Sequence, residues 1–242
     1  QLVVSYGRRI NRPYFQDLNP FLSPLDKFTF YSGNPYLNPS FSQSYEFSYR
    51  FKSLFSTTLS YNKTKDNIEE TIEINNGIYY SRPGNIGKTE IWSLNIESEI
   101  PITEWYAVNM YSELTNLSYK SQLYTEGLNT SGTFFFILIN NKFKLGKDWS
   151  AELFGRYLSK VESAQVTTNP KGVVNFTIQK KLLNNKASIK FSVNDIFYTN
   201  VNSGVINNLQ NTYADYENLG DTRFAALIFT YSFGKSFQSK NS

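Results

Sequence analysis

The segment FSQSYEFSYRF (residues 41–51) alternates aromatic and polar side chains, and this alternation decides the fold. Its aromatic residues all occupy odd positions: Phe41, Tyr45, Phe47, Tyr49 and Phe51. Successive side chains of a β-strand point to opposite faces of the sheet, so one face is aromatic and the other polar. A soluble sheet packs its apolar face on a protein core, whereas a membrane barrel turns that face toward lipid.

The composition narrows the class of protein without choosing between these two solutions. The chain has 242 residues, 17% of them aromatic, and a mean hydropathy of −0.41. Its longest apolar run, FFFILI (residues 134–139), is far shorter than the roughly 20 residues of a membrane-spanning helix. A helical membrane protein is therefore excluded, whereas a barrel built from half-apolar strands is not.

Two residue types are absent from the sequence, which contains neither cysteine nor histidine. This excludes disulfides and thiol nucleophiles and removes the commonest metal ligand and general base. We therefore expect no cofactor, no metal site and no catalytic residue. The net charge of +4 comes from interspersed basic and acidic residues, so we also expect no nucleic-acid partner.

Ten segments have the alternation of strands, and the eight prolines lie outside or at the ends of them. The predicted strands lie near residues 2–10, 41–51, 55–65, 89–101, 105–119, 132–145, 149–160, 172–183, 187–197 and 222–234. The connections alternate between short ones (52–54, 103–105, 146–148, 184–186) and long ones (about 11–40, 66–88, 120–131, 161–171, 198–221). Short turns on one side and long loops on the other are typical of an outer-membrane barrel.

The two faces of the predicted strands support the same interpretation. The expected lipid-facing residues include Trp92, Leu94, Ile96, Tyr106, Val108, Leu114, Phe135, Ile137, Phe143, Phe176 and Phe191. The opposite face carries many serines, threonines and asparagines, which are too small to fill a narrow lumen. It also carries apolar residues that need a packing partner: Phe136, Leu138, Phe224, Ala226 and Ile228. Both features favour an arc of a larger, plugged barrel over a closed ten-stranded one.

Residues 5–51 also resemble a known family. They contain an R-R-I-x-R-P element (residues 8–13), a D-L-N-P-F element (17–21) and a G-N-P-x-L-x-P element (33–39) that leads into the strand around Tyr49. This order resembles the C-terminal barrel region of TonB-dependent receptor-like outer-membrane proteins of Bacteroidota. The end of the chain, RFAALIFTYSFGKS, is similar to the closing strand of that family. Its alternating residues are Leu227, Phe229, Tyr231 and Phe233.

The resemblance implies an all-β, antiparallel up-and-down barrel of about 22 strands, of which this chain supplies about ten. It implies residues 1–234 as barrel and 235–242 as a tail. Independently of the resemblance, the strand-like pattern of QLVVSYGRRI (residues 1–10) indicates that the chain starts in mid-sheet. The implied partners are outer-membrane lipid, the barrel-assembly machinery that reads the closing strand, an upstream plug domain of the same polypeptide, and the TonB complex. The implied role is uptake of a bulky nutrient, such as a metal chelate or an oligosaccharide.

Two long loops carry candidate ligand contacts, because functional loops are commonly held on rigid scaffolds. Tyrosines beside a guanidinium can hold a sugar or an aromatic metal chelator. The candidates are Tyr79, Tyr80 and Arg82 in one loop and Tyr213, Asp215, Tyr216 and Glu217 in the other. The alternative for the first loop is a hairpin that merely extends the strands and presents a solvated acidic face.

Other functions remain as alternatives. A non-transport barrel that acts as an adhesin or surface scaffold would lack the plug and the TonB-binding segment. An outer-membrane enzyme would have to use carboxylates such as Glu97 and Glu99, which we interpret as lumen charges balanced by Arg50, Arg156 or Lys190. A soluble carbohydrate-binding sheet protein would bury the aromatic face. RPGNIGKT (82–89) lacks the first glycine and the helix of a phosphate-binding loop.

Overall fold

The fold consists almost entirely of β-strands. A computed structural model describes residues 1–123, 126–207 and 214–233. Within these residues, no helix has both the length and the apolar character needed to cross a membrane. The elements are, in chain order, β1 (Leu2–Asn11), α1 (Phe15–Leu18), β2 (Ser23–Pro24), β3 (Thr29–Tyr31), β4 (Ser40–Phe51), β5 (Phe55–Lys65), β6 (Ile68–Asn75), β7 (Ile78–Asn85), β8 (Lys88–Pro101), β9 (Tyr106–Leu123), β10 (Glu126–Gly146), β11 (Trp149–Leu158), β12 (Val161–Ser163), β13 (Val166–Thr168), β14 (Lys171–Leu182), β15 (Ala187–Asn194), β16 (Asn202–Ile206), β17 (Ala214–Asn218) and β18 (Phe224–Tyr231).

Ten of these strands form one antiparallel sheet in the order β1-β4-β5-β8-β9-β10-β11-β14-β15-β18. Each strand pairs with the next long strand in the sequence, which confirms the up-and-down topology and the ten predicted segments. Among the described residues β1 and β18 each have one neighbour, so the sheet is open. We call the end with the short connections the turn end and the opposite end the loop end.

The sheet exposes its apolar face, as a lipid-facing strand set requires. One row of paired residues crosses five strands and is apolar throughout: Phe47, Leu59, Leu94, Leu114 and Phe135. Phe47 is 47% exposed, and Trp92 on the same face is 51% exposed. A soluble sheet would bury these side chains in a core. We call this face the outer face and the opposite, polar face the inner face.

Aromatic side chains mark both ends of the outer face. At the loop end Tyr6, Tyr45, Tyr61 and Trp92 form a row across β1, β4, β5 and β8, with successive ring centroids 5.0, 6.2 and 4.5 Å apart. At the turn end Tyr106 stacks on Phe143 at 5.0 Å, beside Trp105. The distance between the two belts can be measured along β9. Tyr106 lies in the turn-end belt, and Asn116, which pairs with Trp92, lies level with the loop-end belt, about 34 Å farther along the strand. A tilt of about 40° reduces this to about 25 Å, the height of the apolar band of a membrane barrel.

Within the region predicted as a loop at 120–131, the described residues 120–123 and 126–131 are instead strand. β9 continues to Leu123 and β10 begins at Glu126, so the two strands extend well beyond the loop-end belt. The prediction was wrong because it ended strands where apolar alternation ended. Above a membrane both faces of a strand can contact water, so pairing continues without an apolar face.

The other long connections form two small sheets at the loop end. One has the order β2-β3-β7-β6 and contains a parallel pair, β3 with β7. The other has the order β12-β13-β16-β17 and is antiparallel. The first of these contains a hairpin of β6 and β7, as the sequence predicts for residues 66–85. We call them the first and second loop sheets.

Candidate functional site

Two adjoining cavities lie along the inner face of the described sheet. One cavity, of about 650 Å³, lies near the turn end and is lined by Arg50, Ser56, Glu97, Glu99 and Tyr111 among others. A second cavity of about 420 Å³ continues along the same wall toward Ser48 and Thr58. The polar face therefore lines the interior, as expected for a lumen.

The inner wall of β4, β5, β8 and β9 is a network of hydroxyl and carboxylate groups. Ser48 and Thr58 approach to 2.9 Å between their oxygens, and Ser93 and Thr115 to 2.7 Å. The hydroxyl of Thr115 also donates to Glu113 at 2.7 Å. Such a wall offers many hydrogen-bonding groups and no large apolar surface, so it suits a hydrated solute.

The lumen carboxylates occupy the predicted face but lack the predicted partners. Glu97 accepts a hydrogen bond from the hydroxyl of Ser56 at 3.5 Å. The ion pairs found in the described part of the chain lie elsewhere: Arg82–Glu73, Lys88–Glu90 and Lys160–Glu162. Arg156 instead donates to the side-chain oxygen of Asn200 at 3.2 Å. The balance of charge that we expected from Arg50, Arg156 and Lys190 is therefore not made by direct contact.

Apolar side chains lie on the inner wall at two strands, β10 and β18. The register places Phe136 and Leu138 on it, and Tyr111 meets the Phe136 ring edge-on at 5.9 Å. Phe224 and Ile228 of β18 lie on the same face, opposite Asn194 and Lys190, and both are exposed. These side chains face the interior, as the sequence predicts, and they remain available for packing.

A true hydrophobic core lies at the loop end of the inner face. Ile86 is fully buried, and Leu117 and Tyr119 of β9 are nearly so. Val161 and Ala164, at the β12–β13 hairpin, pack against them. The hydroxyls of Tyr119 and Ser163 approach to 3.0 Å. The hairpin therefore folds inward over the lumen face of the extended strands.

One buried glutamine connects the two loop sheets. Gln165, at the tip of the β12–β13 hairpin, is 2% exposed. Its side-chain oxygen accepts from the backbone N–H of Ile72 at 2.8 Å, and its amide donates to the carbonyl of Ile72 at 3.0 Å. This pair of hydrogen bonds satisfies both backbone groups of a residue in β6 and holds the second loop sheet against the first. Sequence reasoning missed it, because nothing local marks a contact 93 residues away.

The first set of candidate residues lies on β7. Adjacent strand residues point to opposite faces, so Tyr80 and Arg82 share one face and Tyr79 lies on the other. Tyr80 stacks on Phe30 of β3 at 6.1 Å, and Arg82 forms an ion pair with Glu73 of β6 at 3.4 Å. The face combines an aromatic pair with a half-exposed guanidinium, and no single platform holds both tyrosines.

Burial changes the pKa of one carboxyl group in the same sheet, that of Glu69. Glu69 of β6 is largely removed from water, which raises the pKa of its carboxyl above the ordinary value. The side-chain amide of Asn67 donates to this carboxylate at 3.0 Å and offsets part of the effect. The acidic hairpin is therefore not uniformly a solvated surface.

The second set of candidate residues lies on β17 of the second loop sheet. Tyr216 turns toward its own sheet, where its hydroxyl lies 3.4 Å from that of Thr168. Asp215 and Glu217 lie on the opposite face and are exposed. Tyr213 falls outside the described residues. The two candidate sets therefore lie in different sheets, which Gln165 joins.

A structural carboxylate that the sequence analysis did not single out lies after β15. Asp195 accepts hydrogen bonds from the N–H groups of Thr199 and Asn200 and from the hydroxyl of Thr222, at 3.0, 3.2 and 2.6 Å. Burial alone would raise its pKa, but these donors, with Arg223 nearby, hold the pKa below the ordinary value. Asp195 ties the end of β15 to the start of β18. Its backbone partners lie four and five residues along the chain, beyond the two-residue reach of an Asx turn, so no local sequence pattern marks this contact.

The sequence and fold each match known proteins. The sequence pattern of the outer membrane protein beta-barrel family matches residues 1–231. The fold is similar to the crystal structure of the siderophore receptor PirA from Pseudomonas aeruginosa, with a TM-score of 0.60 and 14% identity over 94% of this chain. It is also similar to a mutant of the ferric enterobactin receptor PfeA, of the same organism, in complex with enterobactin, with a TM-score of 0.55 and 14% identity over 82% of this chain.

These solved receptors are much longer than the chain. The match covers 38% of PirA and 33% of PfeA. At this level of identity the likeness concerns the fold. No curated protein matches the sequence.

Proposed function

Because this chain belongs to the outer membrane protein beta-barrel family, we propose that it supplies the C-terminal ten-stranded arc of a TonB-dependent receptor. The cargo would be a bulky nutrient, either a metal chelate or an oligosaccharide. The chain is an outer-membrane β-barrel segment, and its exposed apolar outer face would contact lipid. The observation that carries the proposal is the likeness of its open sheet to about a third of two siderophore receptors.

The open ten-stranded sheet and the apolar residues on its inner face support a receptor of this kind. A ten-stranded arc whose edge strands β1 and β18 each have one neighbour among the described residues needs further strands to close around a lumen. Apolar residues on the inner face, including Phe136, Phe224 and Ile228, need a body inside the barrel to pack against. A plug domain of the same polypeptide would meet both requirements, and TonB would act on that plug. The motifs at residues 8–39 support a source among Bacteroidota.

The proposed orientation follows from the connections. The short turns would face the periplasm, and the loop sheets would face the outside of the cell. The closing strand, with Leu227, Phe229, Tyr231 and Phe233, would be read by the barrel-assembly machinery. Residues 1–234 would form barrel, and 235–242 would form a tail.

The first contact with cargo would be made on the first loop sheet. The ring pair of Phe30 and Tyr80 offers a flat surface to a sugar or an aromatic chelator. Arg82 lies on the same face and can attract an anionic chelate, because its partner Glu73 is itself half-exposed and the ion pair is weak. The hydroxyl wall of the lumen would then take over the solute in a hydrated form.

Uptake in whole cells tests this proposal. The full-length protein, with and without a functional TonB complex, is expressed in a strain that lacks other receptors, and import of labelled ferric chelates and oligosaccharides is measured. We expect import of one of these classes and its loss without TonB. Import that persists without TonB, or adhesion without import of either class, would contradict the receptor proposal.

A paired variant locates the contact surface. Tyr80→Ala with Arg82→Gln removes the flat surface and the guanidinium, and we expect cargo affinity to fall about tenfold or more. Tyr36→Ala with Lys27→Gln removes an exposed ring from the β3–β4 connection and an exposed cation from the β2–β3 connection, and serves as the control. Equal affinity in both variants would leave transport standing but exclude this sheet as the binding surface.

A further inference from the structure

The outer face carries three lysines side by side just beyond the loop-end belt. Lys65 of β5 pairs with Lys88 of β8, and Lys88 pairs with Lys120 of β9. Paired residues of antiparallel strands project from the same face with their Cβ atoms about 5 Å apart. We call these three residues the lysine row.

The row between the lysines and the aromatic belt adds more positive charge. Arg8 of β1 and Lys63 of β5 lie in it, together with the carboxylate of Glu90. Glu90 is already engaged, because Lys88 contacts it at 2.7 Å and the hydroxyl of Tyr61 donates to it at 2.9 Å. Asp66 follows Lys65 in the connection to β6 and adds a second carboxylate. The patch then has five cations (the lysine row, Arg8 and Lys63) and two carboxylates, which gives a net charge of +3.

Like charges placed directly opposite each other destabilise a sheet. A row of three lysines is therefore unfavourable by itself, and Glu90 contacts only Lys88 among them. Lys65 and Lys120, on the two sides of the row, are exposed. An external anion that contacts all three ammonium groups would remove the repulsion, and a phosphate has the charge and the acceptor oxygens for it.

The position of the patch selects the source of that phosphate. Arg8 and Lys63 lie two residues beyond the aromatic belt, and the lysine row lies four residues beyond it, which is about 7 and 14 Å along the strands. Aromatic belts lie at the level of the lipid head groups, and lysine clusters next to a membrane attract anionic head groups. The patch faces away from the inner wall, so a solute that crosses the lumen does not meet it.

We propose that the lysine row, with Arg8 and Lys63, binds the phosphate groups of an anionic phosphorylated lipid in the membrane leaflet at the loop end. The aromatic row below it, Tyr45, Tyr61 and Trp92, contacts the upper part of the acyl chains. The bound head group neutralises the repulsion between neighbouring strands and fixes the depth of β5, β8 and β9 in the membrane. This site goes beyond transport, because it depends only on the membrane position of the barrel.

Lipid binding to the purified full-length protein tests the site. The protein in dodecyl maltoside is titrated with diphosphorylated lipid A, with the same lipid after dephosphorylation, and with inorganic phosphate, and bound species are counted by native mass spectrometry. The variant carries Lys65→Gln, Lys88→Gln and Lys120→Gln. The control carries Lys52→Gln, Lys147→Gln and Lys186→Gln, three lysines of the short turns at the opposite end.

We expect the lysine-row variant to bind diphosphorylated lipid A about a hundredfold more weakly than the wild type, and the control to bind it unchanged. The wild type should also prefer the phosphorylated lipid and lose affinity as salt is added. Equal binding by the lysine-row variant, equal loss in the control, or equal binding of dephosphorylated lipid would overturn the proposal. Binding of inorganic phosphate as tight as that of the lipid would overturn the lipid assignment.

Stability in lipid-free detergent separates binding from folding. Because the substitutions remove repulsion, the lysine-row variant should unfold at the same temperature as the wild type or higher. Adding diphosphorylated lipid A should raise the unfolding temperature of the wild type and leave that of the variant unchanged. If the triple variant does not fold, Lys88→Gln alone gives the same readouts with a smaller shift, and no shift would overturn the proposal.

Discussion

The ten-stranded sheet and the loop-end core consist of the same kind of secondary structure, yet they place apolar side chains in opposite ways. Phe47 and Trp92 of the sheet are about half exposed, whereas Ile86 of the loop-end core is fully buried. Lipid takes the place of a core for the first, and protein supplies one for the second. The comparison teaches that exposure of apolar residues has to be judged against the solvent of each region.

The largest effect should come from charging the outer face at mid-height. Leu94→Arg puts a guanidinium into hydrocarbon and removes apolar contact, and we expect a loss of about 4 kcal/mol in the free energy of unfolding from lipid vesicles. Asn95→Arg, one residue away on the inner face, should lose less than about 1 kcal/mol. Urea titration followed by gel mobility measures both, and equal losses would mean that the two faces share one solvent.

The next effect concerns the protein core at the loop end. Ile86→Ala leaves a cavity between the β12–β13 hairpin and β9, and we expect a local loss of about 3 kcal/mol. Hydrogen exchange should accelerate at residues 161–168 while the ten-stranded sheet keeps its protection. Ile102→Ala removes an exposed isoleucine and serves as the control. Accelerated exchange throughout the sheet would show that the two regions are not independent.

A smaller effect should follow from cutting the link between the loop sheets. Gln165→Ala leaves both backbone groups of Ile72 without their partners, which costs about 2 kcal/mol locally. Limited proteolysis should then cut near residues 72 and 165 sooner than in the wild type. Gln43→Ala on the outer face should leave the cleavage rate unchanged. If Gln165→Ala and the wild type were cleaved at equal rates, contacts other than the Gln165–Ile72 hydrogen bonds would hold the two loop sheets together.

The smallest effect is a pH dependence of opposite sign at two carboxyls. Glu69 has a raised folded pKa, so its contribution to stability is complete below its unfolded pKa and is lost as pH rises through the folded value. Asp195 has a lowered folded pKa, so its contribution is present above the unfolded pKa and is lost as pH falls through the folded value. Hydrogen exchange from pH 3 to 7 should therefore loosen residues 68–75 toward higher pH and residues 195–200 toward lower pH.

Glu69→Gln and Asp195→Asn are the matching variants. Each should abolish the pH response of its own segment and leave the other unchanged. A segment that keeps its pH response after its carboxyl has been removed would assign the response to another group.

The sequence predicted the membrane part of the fold well, for a physical reason. Where one face meets hydrocarbon and the other meets water, every second residue is constrained, and the alternation at Phe47, Leu59 and Leu94 follows directly. Beyond the belts that constraint ends. The segment at 120–131 was therefore predicted as a loop, and the order of β2, β3, β6 and β7 was not predicted at all.

The candidate site was predicted in composition but not in arrangement. The sequence indicated Tyr80, Arg82 and Tyr216 by type, but not that Phe30 would stack on Tyr80 or that Tyr216 would turn toward Thr168. Those contacts depend on pairing between distant segments. The same holds for Gln165 and Ile72, whose hydrogen bonds need the tertiary fold to bring a side chain to a backbone.

In the part of the chain that the structure describes, β1 and β18 each have one side without a paired strand, and this has a consequence for handling the polypeptide by itself. An unpaired strand edge in the hydrocarbon of a membrane has backbone N–H and C=O groups without hydrogen-bond partners. Each such group costs several kcal/mol of free energy. Two copies of the arc can satisfy these groups by pairing their edge strands, so we expect the isolated arc to self-associate. Biochemical experiments should therefore use the full-length, closed barrel. A dimer of the isolated arc should be interpreted as pairing between its exposed strand edges.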